Sequence, residues 1–181
     1  MAVSSKVQET YLALLETDLM LALGCTEPIA VAYATAKAKE VLGDFPDRME
    51  VLSSGNIIKN VKAVTVPHSG GQKGIEVAAV LGAIGGDPKL KLEVLESVTR
   101  EDIQKANELL KDPNYCKCGL IKSQANLDII ATLYKGKDSA LVEIKNYHTN
   151  IVRIEKNGVS IFADNNQEVS ESNIDKGLLK L

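Results

Sequence analysis

The stretch LGCTEPIA places a glycine, a thiol, a carboxylate and a proline in succession between two apolar helical patterns. Gly24 is typical of the residue just past a helix, and Pro28 is typical of the first turn of the next one. Cys25 would therefore lie at a helix N-terminus capped by Thr26 or Glu27, where unpaired amide groups and the helix dipole favour negative charge. We expect a lowered pKa for this thiol and hence a thiolate, the form that binds iron or zinc or attacks an electrophile. A small buried residue in a tight turn is the alternative interpretation of an isolated cysteine.

Side chains suited to substrate binding and proton transfer occur in two further segments. The segment SGNIIKN carries Asn56, Lys59 and Asn60, and a lysine beside two amides can bind a carboxylate. The alternative there is a capped turn with a solvated lysine. His148, in a predicted hairpin turn, and Glu27, beside the cysteine, are candidates for acid–base catalysis. A solvated loop histidine and a carboxylate that only favours the helix start are the corresponding alternatives.

Two other motifs carry weaker chemical signals. The segment HSGGQKG lies between a predicted strand and a predicted helix, where backbone amides can bind an anion. It lacks the Gly-Lys-Ser/Thr ending of a P-loop, so its glycines are interpreted as allowing a tight turn. Cys116 and Cys118 form a C-x-C pair that we place on a loop. Such a pair can hold a metal, but surface cysteines are the favoured interpretation.

Composition excludes several classes of protein. The formal net charge of −3, with no block of Lys or Arg, argues against nucleic-acid binding. No apolar run reaches the roughly 18 residues of a membrane helix, and Glu9, Glu16 and Asp18 argue against a signal peptide. Three cysteines, an odd number, do not suit a disulfide framework. We therefore expect a cytoplasmic protein.

Hydrophobic spacing predicts the elements that position these residues. Helices are predicted over 5–23, from about 26 to 42, over 75–84 and over 99–111, and strands over 49–52, 61–66, 127–134, 140–145, 151–155 and 159–162. The predicted class is α+β, with an N-terminal helix pair followed by a mixed sheet that has helices packed on one face. The predicted domains are the helix pair bearing Cys25 (1–45), the α+β domain (46–165) and a polar tail (166–181). The apolar and Ala-rich surfaces of the helix pair suggest a helical partner beyond this chain.

The segment GCTEPIAVAYA resembles the start of the serine dehydratase-like family, which includes L-cysteine desulfidase, iron–sulfur L-serine dehydratases and uncharacterised UPF0597-like proteins. The resemblance continues, in the family's order, in SGNIIKNVKAVTVP, GIEVAAVLGAIGGDP and HTNIVRIEKNG. It covers only the N-terminal portion of family members, whose other cluster cysteines lie in a helical C-terminal half. The α+β part resembles the small domain of the iron–sulfur serine dehydratases.

This resemblance implies an oxygen-sensitive lyase in which a 4Fe–4S cluster replaces pyridoxal phosphate. One iron, open to substrate, would act as a Lewis acid while a base removes the α proton. Sulfide would then leave from L-cysteine, or water from L-serine, and the product would hydrolyse to pyruvate and ammonia. Cys25 matches the family's N-terminal cysteine and would be one cluster ligand.

The other cluster ligands are not expected in this chain, because the C-x-C pair does not align with the family's ligand cysteines. We therefore expect a fragment or one half of a split enzyme, inactive alone, that needs a helical half or a second subunit. A small amino acid is the expected substrate, no nucleic acid or membrane is expected as a partner, and a homo-oligomer is compatible with the sequence. The alternative function is that of a non-catalytic module that binds a small amino acid.

Overall fold

The computed structural model describes residues 9, 11–12 and 24–164. The chain divides into two compact units, Met1–Leu21 with Asn165–Leu181, and Ala22–Asp164. In the first unit, Glu9, Tyr11 and Leu12 are helical. The rest of the helix predicted over 5–23 and the polar tail predicted over 166–181 lie outside the described residues. The elements below belong to the second unit.

The second unit begins with a helix and a strand, continues with four helical segments and ends in five strands. Its helices are α1 (Thr26–Leu42), α2 (Gly55–Ala63), α3 (Ile75–Gly85), a kinked 3-10 segment (Pro88–Glu93) and α4 (Arg100–Leu109). Its strands are β1 (Arg48–Ser53), β2 (Cys116–Leu120), β3 (Asp128–Lys135), β4 (Asp138–Lys145), β5 (Ile151–Lys156) and β6 (Val159–Ala163). This content confirms the predicted α+β class.

The six strands form one mixed sheet in the order β2-β1-β3-β4-β5-β6. The pair β1–β2 is parallel, and the other four pairs are antiparallel. Alternate residues of the central strands are buried towards the helices, as expected for a sheet covered on one face: Met49, Val51, Ile129, Ala131, Leu133, Ala140, Val142 and Ile144. The packing of helices on one face is therefore also confirmed.

Helix α1 is the central helix of the unit, since it contacts α3, β3 and β4. Its row of alanines permits a close approach to α3. At the crossing, a Cβ added to Gly82 would overlap the carbonyl oxygen of Ala32 and Oγ1 of Thr35. Thr35 is fully buried, and its hydroxyl donates to the carbonyl of Ala32 over 3.0 Å. The small residues of the sequence thus serve to bring two helices together above the sheet.

Two features differ from the sequence-based predictions. The strand predicted over 61–66 is wrong, because residues 55–63 form α2, whose buried Ile57 and Val61 are four residues apart. The loop position predicted for Cys116 and Cys118 is also wrong, since both lie in the edge strand β2. Helix α1 packs on the sheet itself, and the predicted domain bounds stay a prediction. Among the described residues, no helix combines the length and the apolar character needed to cross a bilayer.

Candidate functional site

Cys25 occupies the N-cap position of α1 and follows a sharp change of chain direction at Gly24. Gly24 has φ 142°, a backbone conformation that favours glycine, and a Cβ added there would lie 3.2 Å from Cγ of Pro67. Cys25 is half-buried, and its Sγ donates to Oε2 of Glu27 over 2.9 Å. Because α1 begins at Thr26, Cys25 is the cap, although its side chain makes no capping hydrogen bond. The predicted cap at Thr26 or Glu27 is therefore wrong by one or two residues.

The thiol of Cys25 is held in its neutral form. Burial raises its pKa above the ordinary value, and its hydrogen bond to the carboxylate of Glu27 raises it further. The expected lowering by the helix N-terminus is therefore wrong. Glu27, in the first turn of α1, already places a negative charge at this helix end and opposes a second one on sulfur.

Glu27 links the thiol to helix α2. Its second carboxylate oxygen, Oε1, accepts a hydrogen bond from Nδ2 of Asn60 over 3.0 Å. The pKa of Glu27 is lowered, chiefly by the hydrogen bond from Cys25 and also by Asn60 and the nearby His148, although burial opposes the shift. The carboxylate is thus held ionised and oriented by donors from two parts of the chain.

His148 reaches the same corner from the loop between β4 and β5. Its Nε2 lies 3.1 Å from Oγ1 of Thr26, a contact that joins residues 122 positions apart. The loop is closed by Asn150, whose Nδ2 donates to the carbonyl of Lys145 over 2.9 Å. Burial lowers the pKa of His148, and the charge of Glu27 opposes this effect. The imidazole is therefore mainly neutral at neutral pH and can accept a proton.

Asn56 and Lys59 lie on α2 with Asn60, at positions i, i+3 and i+4 of one helix face. Both are exposed, and within residues 24–164 neither is hydrogen-bonded to Cys25 or His148. The structure thus brings Cys25, Asn60 and His148 together through Glu27 and Thr26, and it leaves Asn56 and Lys59 on the exposed part of α2.

Thr26 is the partner of His148, a role that the sequence did not predict for it. Its only signal was a hydroxyl beside the candidate cysteine, at a position interpreted as a cap. The contact depends on β4 and β5 being brought to the start of α1, which the sequence pattern does not reveal. Thr26 therefore joins the candidate site on the basis of the fold alone.

The glycine-rich loop after Pro67 is closed by its own hydrogen bonds. The backbone N–H of Gln72 donates to Oγ of Ser69 over 2.8 Å, and Nε2 of Gln72 donates to the carbonyl of Ser69 over 2.9 Å. Gly70 and Gly71 have φ values of 72° and 93°, as a tight left-handed turn requires. This geometry confirms the tight-turn interpretation of the loop.

Similarity to known proteins was found over most of the chain. The chain is 52% identical over 158 residues to a UPF0597 protein of Finegoldia magna, and this match covers 87% of the chain and 38% of that relative. It is 46% identical over 168 residues to a UPF0597 protein of Lachnoclostridium phytofermentans, covering 93% of the chain and 40% of the relative. A UPF0597 protein of Treponema denticola is 43% identical over 162 residues, and the match covers 90% of the chain and 37% of the relative.

The chain therefore spans about two fifths of the length of these relatives, whose names state no activity. No protein-family model matches the chain. No solved structure matches it either.

Proposed function

We propose that the chain is the N-terminal part of an iron–sulfur-dependent lyase that performs β-elimination on L-cysteine or L-serine. In this reaction a base removes the α proton, the bond from Cβ to sulfur or oxygen breaks, and sulfide or water leaves. The aminoacrylate product tautomerises and is hydrolysed to pyruvate and ammonia. Such a reaction needs a proton acceptor, groups that bind the substrate carboxylate and an electrophile near the leaving group.

One observation supports this proposal above the others. A thiol, a carboxylate, a carboxamide, an imidazole and a hydroxyl from three separate segments form two adjoining hydrogen-bonded groups at one end of α1. Cys25, Thr26 and Glu27 come from the start of that helix, Asn60 from α2, and His148 from a hairpin loop. Structural turns do not require so many chemically distinct groups, whereas an elimination site does.

His148 is the proposed proton acceptor. When its Nε2–H donates to Oγ1 of Thr26, Nδ1 carries the lone pair that can take the α proton. Thr26 is then a positioning residue that sets the tautomer and the orientation of the ring. The burial that lowers the pKa of His148 keeps this lone pair available at neutral pH.

Glu27 and Asn60 are proposed to hold the site in place. The carboxylate accepts hydrogen bonds from Sγ of Cys25 and from Nδ2 of Asn60, so it fixes the thiol relative to α2. Asn56 and Lys59 lie on the same face of α2 as Asn60 and are exposed. Their amide and ammonium groups are therefore available to bind a substrate carboxylate.

The site can supply one cysteine ligand, Cys25, to one iron of a 4Fe–4S cluster. Such a cluster is held by about four cysteines, and the site offers one, Cys25. Within the described residues, no three His, Cys, Asp or Glu side chains converge on a common metal position. Cys25 would be one ligand, and the others would have to come from outside the described residues. When bound, the cluster would supply an iron that polarises the substrate's carboxylate and leaving group.

The proposal can be tested in a chimera that joins this chain to the remaining part of the Finegoldia magna relative. After anaerobic purification and reconstitution with iron and sulfide, pyruvate formation from L-cysteine and from L-serine is measured. We expect turnover of at least one substrate and its loss in the His148→Asn variant. Asparagine keeps a polar side chain at this position but cannot accept the α proton. Binding of either amino acid without pyruvate formation would instead support a non-catalytic binding module.

A further inference from the structure

The two cysteines of β2 lie on the buried face of the sheet. Cys116 pairs in register with Met49 of β1, and Cys118 pairs with Val51. Met49 and Val51 belong to the helix-facing set, so both cysteines lie on that face as well, as their spacing of two residues requires. Each thiol therefore has the other as a neighbour along the strand.

Three sulfur-bearing residues are thus neighbours on two adjacent strands. Met49 is 1% exposed and Cys116 is 6% exposed, whereas Cys118 is only partly buried. Since register partners in neighbouring strands are about 5 Å apart, the side chains of Met49 and the two cysteines start from one patch of the sheet. The partial exposure of Cys118 gives this patch an opening to solvent.

The sulfur patch is bordered by the start of helix α3. Glu76, in the first turn of that helix, contacts Cys118 and is itself exposed. A ligand that enters beside Cys118 therefore meets the two cysteines of β2 first.

We propose that Met49, Cys116 and Cys118 form a binding site for Cu(I). Thiolate and thioether sulfurs are the donors that select this soft cation, and three sulfurs satisfy it without nitrogen or oxygen ligands. Structural zinc takes four ligands of the Cys, His, Asp or Glu type, and within the described residues no three such side chains form a group that could hold a metal. Binding is a simple exchange in which Cu⁺ and two thiols give a bis-thiolate complex and two protons, with no change of oxidation state.

The proposal is tested with the full chain under anaerobic, reducing conditions. Cu(I) is titrated in competition with bicinchoninate, and thiolate-to-copper absorption in the ultraviolet reports sulfur coordination. We expect one equivalent of Cu(I) to be retained by the parent chain and by Cys25→Ser, the matched control that removes the remaining thiol. The equivalent should be lost in Cys118→Ala. Met49→Leu, which keeps the core volume, should weaken binding about 10- to 100-fold, as loss of a supporting group at a metal site does.

Circular dichroism checks that each variant is folded, and Cys118→Ala is the key variant because its side chain is only partly buried. Retention of the copper by Cys118→Ala, or its loss in Cys25→Ser, would overturn the site. An unchanged affinity of Met49→Leu for Cu(I) would contradict the proposed role of the thioether as a ligand. Competition by an equimolar amount of Zn²⁺ would overturn the assignment to a soft monovalent cation.

Discussion

At the scale of single residues, the fold alters the protonation of the imidazole of His148, the proposed proton acceptor. Burial of the ring disfavours its cationic form and lowers its pKa. The native chain therefore binds fewer protons than the unfolded chain between the two pKa values of this residue. The stability that His148 contributes is present above the unfolded pKa and is lost as the pH falls through the folded pKa.

We predict that nuclear magnetic resonance titration of the chain gives His148 a pKa below the usual 6.5. In Glu27→Gln the pKa should fall further, because the carboxylate charge of Glu27 opposes the lowering. The same titration of the chain unfolded in urea supplies the reference. A pKa at or above the usual value would contradict burial of the ring at the site.

A second prediction at this scale concerns Cys25 in the chimera described above. Cys25→Ser should abolish pyruvate formation and lower the iron content, because serine keeps the volume of the side chain but is a poor ligand for iron. Cys118→Ser is the matched control, since it removes a thiol from β2 rather than from the start of α1. Activity and iron content at parental levels in Cys25→Ser would show that the thiol has only a structural role.

At the scale of elements, the crossing of α1 and α3 determines whether the start of α1 is held in place. Gly82→Ala should destabilise the chain by about 1–3 kcal/mol, the usual cost of overpacking a core, because its Cβ meets backbone that cannot move aside. Gly55→Ala, at the first position of α2, is the control, as its new Cβ would meet only Cδ1 of Leu120 at 3.8 Å.

Urea unfolding of the two variants measures this difference. The midpoint should fall clearly for Gly82→Ala and stay close to that of the parent for Gly55→Ala, since alanine is the better helix former. Equal midpoints would mean that the helices can separate at their crossing without cost.

Elements with local signals could be predicted from the sequence. The end of α1 at Leu42, the turn at Asn157 and Gly158 and the capping box between Thr99 and Asp102 all depend on residues within a few positions of one another. The helix α2 could not be predicted, because a segment of nine residues with two buried side chains also fits the alternating pattern of a strand. The strand β2 could not, because its pairing with β1 joins segments more than sixty residues apart.

The candidate site divides in the same way. Cys25 and Glu27 are two residues apart and could be grouped from the sequence, and α2 brings Asn60 to them. The contact between Thr26 and His148 and the raised pKa of Cys25 depend on tertiary burial. Local pattern therefore pointed to Cys25, Glu27, Asn60 and His148, but not to Thr26 or to the hydrogen bonds and protonation states of the site.

At the scale of the whole molecule, the chain corresponds to about two fifths of its relatives' length. We predict that the chain alone, reconstituted anaerobically with iron and sulfide, stays nearly colourless, because the site offers one cysteine ligand where a cluster takes about four. The chimera, treated in parallel, is the positive control. Stable absorption with about four irons per chain in the isolated chain would contradict the proposed division of ligands.

The contact between Thr26 and His148 also has a consequence for the order of folding. The two residues meet only after β3 and β4 have joined the sheet beside β1, a pairing that closes a long loop and is slow for that reason. The first turn of α1 therefore acquires its histidine neighbour after that pairing and not before it. The resonance of His148 should therefore follow the closing of the sheet, and a refolding intermediate with α1 formed but β3 unpaired would show this ring with the pKa of an unfolded chain.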